Sequence, residues 1–174
     1  MNYNYTTKRL IVKEWHSFDP QELNHPDLAS IVQSLLVPEV TRTFPALWQG
    51  SYDKRRAGFW IDEIDEDSKG LLAVEKEFNM PIGIIIFFRE GDGRHGKKLR
   101  LGYLLSKAMW DNGYGTELVQ GFMYLCKEHS ISTVVAGVAP DNIASIRVLE
   151  KNNFLTQKDN TNGRAILYEH HFTP

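Results

Sequence analysis

Trp110-Asp111-Asn112-Gly113-Tyr114-Gly115-Thr116-Glu117 is the stretch on which the reading of this 174-residue chain turns. It follows a segment of strand character, 98–106, and runs into a helical one, because Leu118, Phe122, Leu125 and Cys126 recur at helical spacing up to His129. Glycines at 113 and 115 let backbone approach an anion closely, while the free N–H groups and the positive end of the helix stabilise its charge. A diphosphate suits such a site. Taken alone, a G-x-G before a helix also fits a purely structural turn. A rival lies at Gly91-Asp92-Gly93-Arg94-His95-Gly96, which fits G-x-G-x-x-G literally. A dinucleotide site needs that loop to open a helix, and here a strand follows. A kinase-type glycine loop does sit between strands, yet the chain has no D-F-G and no H-R-D to supply metal and base. The rival reads as a hairpin loop.

Working outward, 9–15 alternates as a first strand, and 26–36 and 51–65 carry helical spacings. The connector 37–50 between those helices holds Phe44, Leu47 and Trp48 beside Pro38 and Pro45; its rings either line a cleft or cap the core. Strands follow at 70–77, 81–90 and 98–106, and 82–88, apolar on both faces, reads as a central buried strand. After the helix that opens at Gly113 come a β-branched run at 132–138, a helix at 142–152, and terminal strands at 154–158 and 164–172. Seven strands in the order β, α, α, βββ, α, β, α, ββ imply an α/β (α+β mixed) fold with a mixed sheet and helices on both faces.

Composition bounds the function. An apolar share of 42% with 24% charged residues supplies one domain's worth of core, so 1–174 reads as a single domain, without repeats or a linker. The net charge of −2 gives no global field for nucleic acid or an anionic membrane, and no apolar run spans a bilayer. The single cysteine, Cys126, does not suggest a disulfide scaffold, and the amino terminus is too polar for a signal peptide; a cytoplasmic location is the expectation. The six histidines form no metal signature. The acidic run 62–67 reads as a solvated helix face, or as an attraction for a cationic acceptor.

Leu101-Gly102-Tyr103-Leu104-Leu105, the loop 110–117 and Pro140-Asp141-Asn142-Ile143-Ala144-Ser145 through Phe154 together resemble the GNAT N-acetyltransferases, in the branch that modifies ribosomal-protein N-termini. Thr7-Lys8-Arg9-Leu10-Ile11-Val12 looks like that branch's first strand, so the resemblance covers nearly the whole chain and is strongest over 98–154. It implies a strongly twisted mixed sheet in which two strands splay apart around acetyl-CoA as co-substrate, with no metal. In the family the glycine loop holds the diphosphate, which maps here to Asp111, Asn112, Gly113, Tyr114, Gly115 and Thr116. Trp110 stands where an Arg or Gln usually opens the loop. Main-chain groups of Leu104 and Leu105 correspond to those that pair with the pantetheine amides, and Asn142 to the asparagine beside that arm. Asn142 also reads as a helix N-cap, and the two roles are compatible.

Acetyl transfer to an amine needs a base for the ammonium proton and an acid for the departing thiolate. The tyrosine many relatives use as acid, seven residues beyond the asparagine, is Leu149 here, which leaves Ser145, as in ribosomal-protein acetyltransferases. Where many of the branch carry a glutamate base, this chain has Arg100, a permanent cation. Candidates for the missing base are Glu90, Asp92, His95 and Tyr103, with a water chain or an already neutral amine as alternatives. The expected activity is transfer from acetyl-CoA to the N-terminal amine of a protein such as a ribosomal protein, lying over Phe44 and Trp48. A small amine or polyamine acceptor, or a non-catalytic acyl-CoA-binding module, stands beside it. Family members commonly form homodimers, and pairing through the terminal strands is the corresponding expectation.

Overall fold

A computed structural model of the protein describes residues 2–91, 97–157 and 165–173. Eight strands form one sheet in the order β1-β2-β3-β4-β5-β6-β8-β7. They are β1 (Tyr5–Thr6), β2 (Leu10–Glu14), β3 (Lys69–Glu75), β4 (Met80–Glu90), β5 (Lys98–Leu105), β6 (Thr133–Val138), β7 (Leu155–Thr156) and β8 (Ile166–His171). Every neighbouring pair is antiparallel except β5 and β6. A parallel pair needs a crossover, and helix α4 (Tyr114–Glu128) provides it. The remaining helices are α1 (Leu28–Leu35), the short α2 (Pro38–Thr41), α3 (Lys54–Asp67) and α5 (Ile143–Lys151).

The period-2 alternation of the strands sorts the core into two layers. Leu71 and Ala73 of β3 point toward α4 and α5, where they meet Leu118, Phe122 and Leu149. Their neighbours Leu72 and Val74 point toward α1 and α3, against Ile31, Leu35, Trp60 and Ile64. Strand β4 is apolar on both faces because it serves both layers, with Ile85 and Phe87 in the first and Ile84 in the second. The register against β3 shifts between Ala73 and Val74, leaving Ile82 as an extra residue; this bulge turns Ile82 into the α4 layer.

The sheet has one strand more than the seven expected. Two residues, Tyr5–Thr6, are too few to show alternation, and what fixes them is distant: the Tyr5 hydroxyl donates to Leu118 O at 2.7 Å. A side chain on Gly121 of α4 would meet the Tyr5 ring at 2.3 Å. The acidic run at the end of α3 is exposed, as a solvated face requires, with Asp65 accepting from Trp15 Nε1 at 3.0 Å. Strands β4 and β5 pair antiparallel; of the hairpin loop expected at 91–96, residues 92–96, Asp92 and His95 among them, lie outside the described residues.

Candidate active site

Strand β5 pairs with β4 along its full length, to Leu105 opposite Gly83, but with β6 only from Lys98–Thr133 to Leu101–Ala136. Strand β6 continues to Val138 against Ile166 of β8. Beyond Leu101 the two parallel strands therefore part, and a cleft of about 560 Å³ opens at the parting. One edge of 102–105 is left without a strand neighbour, and its polar groups need partners. One has an internal partner already: the Trp110 indole donates to Leu105 O at 3.1 Å. Leu104 and Leu105 both line the cleft.

The loop that crosses the end of this edge is bent by two left-handed residues, Asp111 (φ 60°) and Gly113 (φ 78°). Such a backbone suits glycine and is tolerated by aspartate. Gly113 is the N-cap of α4 and no side chain caps the helix, so the first-turn N–H groups of Tyr114, Gly115 and Thr116 have neither a helical nor a capping partner. Those three residues, with Asp111 and Gly113, line the cleft. Gly115 is needed for packing as well. A Cβ there would meet Val148 of α5 at 3.1 Å and Leu105 at 3.3 Å, so a larger residue would force α4 away from both. Asn112 does not line the cleft; its Nδ2 donates to Trp110 O at 2.8 Å and its carbonyl accepts from Arg9 Nη1 at 3.0 Å.

The opposite wall is the start of α5. Asn142 Oδ1 accepts from Ser145 N at 3.2 Å, so Asn142 caps the helix while lining the cleft. The cap fixes Ser145 beside Tyr103, which reaches over from β5: the two hydroxyl oxygens lie 2.6 Å apart, and Ser145 O, 3.2 Å from the phenol, is a second acceptor for its one proton. Burial pushes the Tyr103 phenol well up, only partly opposed by the Ser145 hydrogen bond, so it stays neutral and acts as a donor rather than a base.

Of the acceptor-side pair, Phe44 lines the cleft and Trp48 does not. The Trp48 ring packs edge-on to Trp60 at 5.7 Å, and its Nε1 donates to Glu63 at 3.3 Å. Phe44 and Trp48 nevertheless pack edge to face, their ring centroids 6.4 Å apart, and both lie half-buried against the core layer that holds Trp60. Glu90 is engaged as well. Arg100 Nη2 donates to it at 2.8 Å, and chiefly that hydrogen bond holds the Glu90 carboxyl below the usual range. The carboxylates that do line the cleft are Glu39, Asp111 and Asp141, and Glu39 pairs with Lys107 at 3.1 Å. Among the described residues no group of three or more His, Cys, Asp or Glu could hold a metal ion, and no helix is long and apolar enough to cross a membrane.

Two contributors to the site escape sequence spacing. Glu117, on the first turn of α4, accepts from Thr7 Oγ1 at 2.6 Å, Arg9 N at 2.8 Å and Arg9 Nε at 2.6 Å. The Arg9 guanidinium also stacks 3.9 Å from the centre of the Tyr114 ring. The only trace of this in the sequence was the Thr7-Lys8-Arg9-Leu10 motif itself, whose partner is more than a hundred residues away.

Solved structures share the whole architecture. An acetyltransferase of the GNAT family from Bacillus anthracis aligns with a TM-score of 0.70 at 19% identity, over 95% of each chain. A ribosomal-protein alpha-N-acetyltransferase in complex with coenzyme A aligns with a TM-score of 0.69 at 17% identity, over 97% of each. AAC(6′)-Ib in complex with ribostamycin and coenzyme A aligns with a TM-score of 0.70 at 16% identity, over 94% of each. At these identities the likeness establishes the fold. No curated protein is significantly similar in sequence. The model of the acetyltransferase (GNAT) domain matches residues 20–155, most of the chain and every element of the cleft, and the chain therefore belongs to the GNAT acetyltransferase family.

Proposed function

We propose that this acetyltransferase uses acetyl-CoA to acetylate the N-terminal amine of a protein, a ribosomal protein being the type of acceptor the sequence resemblance implies. The observation that carries the cofactor half is the parting of β5 from β6 above an uncapped helix N-terminus. The chemistry of the lining fits the co-substrate: main-chain N–H groups of Tyr114, Gly115 and Thr116 would hold the diphosphate, and the open edge the pantetheine amides through Tyr103 and Leu105, since the polar groups of Leu104 face β4. Bound there, acetyl-CoA supplies an activated thioester. Asn142 then positions Ser145, and the Tyr103 proton, given to Ser145 Oγ 2.6 Å away, would leave the serine O–H free to protonate the departing sulfur.

The acceptor half rests on charge. Arg42, Arg147 and Lys151 line the cleft against Glu39, Asp111 and Asp141, and Glu39 is already matched by Lys107. That lining has no excess of negative charge to favour a polyamine, whereas a single α-amine needs none. With Glu90 paired and Arg100 a permanent cation, our reading gives proton removal from the acceptor to water or to the amine's own equilibrium, with Asp92 and His95, outside the described residues, as the remaining candidates. An α-amine, with a pKa near ~8, is partly neutral at physiological pH.

The test is thiol release from acetyl-CoA by the purified chain over a panel of N-terminal peptides, polyamines and aminoglycosides. Peptide turnover with kcat/KM rising toward the amine pKa supports the reading. Preferential turnover of a polyamine or aminoglycoside overturns the acceptor, and silence across the panel at saturating CoA binding overturns the enzyme in favour of a binding module.

A further inference from the structure

The chain opens with a motif, Thr7-Lys8-Arg9-Leu10, that no step above employs. Its polar groups converge on one carboxylate. Thr7 Oγ1, Arg9 N and Arg9 Nε all donate to Glu117, whose side chain is only 16% exposed. Thr7 Oγ1 in turn accepts from Leu10 N at 3.0 Å, so the turn between β1 and β2 is itself pinned. From that anchor the guanidinium extends under the glycine loop: Nη1 donates to Asn112 O, the carbon stacks on Tyr114, and Nη2 lies 3.5 Å from where a Gly113 Cβ would stand. Arg9 lines neither the cleft nor the groove on the outer side of α4. It touches the loop from behind.

We propose that Arg9 is a positioning residue for the diphosphate loop: clamped by Glu117, it holds the 112–114 backbone in the one conformation that turns the uncapped N–H groups toward an anion. The inference rests on the cofactor reading above. The physical need is plain. Two left-handed residues, Asp111 and Gly113, leave the loop with many alternative conformations, and an anion site built of main-chain donors works only if those donors are fixed before the ligand arrives. A guanidinium suits the task because one planar fork reaches a carboxylate and a carbonyl together, which an ammonium cannot. It also places a fixed positive charge behind the donors.

The test compares two ligands. CoA carries the diphosphate; pantetheine carries only the arm. Calorimetric titration should show Arg9→Ala weakening CoA by about tenfold or more while pantetheine affinity stays as in the wild type. Arg9→Lys, which keeps a cation for Glu117 but cannot reach Asn112 as well, should recover the melting temperature and not the CoA affinity. Should the alanine variant fail to fold, the lysine variant carries the comparison. Undiminished CoA binding by either variant, or an equal loss of CoA and pantetheine, overturns the positioning role and leaves Arg9 as a brace for the first strands. Failure of the wild-type chain to bind CoA overturns the cofactor reading itself, and is told apart by needing no variant.

Discussion

The two walls of the cleft are built on opposite plans. The cofactor wall, from Trp110 to the first turn of α4, offers main-chain N–H groups and ties its side chains down elsewhere, on Leu105, on Trp110 and on the Arg9–Glu117 clamp. The wall from α2 to Gly50, which we propose faces the acceptor, does the reverse. Its backbone is secured internally: Thr41 Oγ1 donates to Gly50 O and accepts from Gly50 N, each at 3.0 Å, and Arg56 donates to the carbonyls of Leu47, Gln49 and Ser51. What it presents is side chains, Arg42 and Phe44 toward the cleft and Leu47, 90% exposed, toward solvent. A wall made of backbone is specific for a chemical group and indifferent to most substitutions; a wall made of side chains can be re-specified one residue at a time.

Substitution of a backbone donor's neighbourhood should therefore do the most damage. Gly115→Glu places a Cβ within 3.1 Å of Val148 and a negative charge among donors meant for an anion, and CoA affinity should fall by about a hundredfold or more. Normal affinity by calorimetry would mean that the diphosphate binds elsewhere. Ser145→Ala comes next and should act on a different quantity. Losing the hydroxyl that Tyr103 orients ought to reduce kcat by about tenfold or more with CoA affinity kept, the pattern of a group acting only in the transition state. An unchanged kcat would remove the serine from the proton path and leave it to structure.

The same division explains what was legible beforehand. Backbone-borne chemistry announces itself through residues with special backbone freedom, so Gly113 and Gly115 ahead of an amphipathic helix pointed to the loop, and the cap at Asn142 followed from its place before α5. The elements themselves were legible from period, because β4 and α4 are long and regular. Side-chain chemistry was not. Phe44 and Trp48 are four residues apart, chemically alike and in edge contact, yet only Phe44 reaches the cleft while Trp48 also meets Trp60, a difference made by core packing that no local spacing encodes. The two-residue β1 and the Thr7–Arg9–Glu117 clamp were hidden for the same reason: each is a local motif defined by a partner beyond the reach of any periodicity.

The different surroundings of Phe44 and Trp48 give a contrast to test. Trp48→Ala should lower stability by about 2 kcal/mol, less than for a fully buried ring, with no change in acceptor KM once the melting temperature is allowed for. Phe44→Ala, which removes a half-buried ring packed on Trp48, should cost stability too but also raise acceptor KM severalfold. If both variants raised KM alike, the acceptor wall would extend over Trp48 and the division between core ring and cleft ring would be wrong.

The smallest effect concerns how the cofactor wall responds to acid. Burial pushes the Glu117 carboxyl up, but the hydrogen bonds from Thr7 and Arg9 outweigh it and hold the group below the ordinary glutamate range. A carboxyl lowered in the folded state binds fewer protons there than when unfolded, so its contribution to stability is complete above the unfolded value, near ~4.3, and is lost as pH falls through the folded one. Acidification below about pH 5 should therefore loosen the clamp and lower the melting temperature, and Glu117→Gln should flatten that limb of the profile while costing stability at neutral pH. A pair outside both walls is more exposed: Asp27, lowered to about 2 chiefly by the hydrogen bond from Lys54, caps α1 with its side chain 41% exposed. Added salt discriminates between them, since it screens an exposed pair far more than a half-buried one. At 1 M salt the Asp27 contribution should largely vanish and the Glu117 limb persist, so an acid profile that salt abolishes in full would place the clamp in solvent rather than beneath the loop.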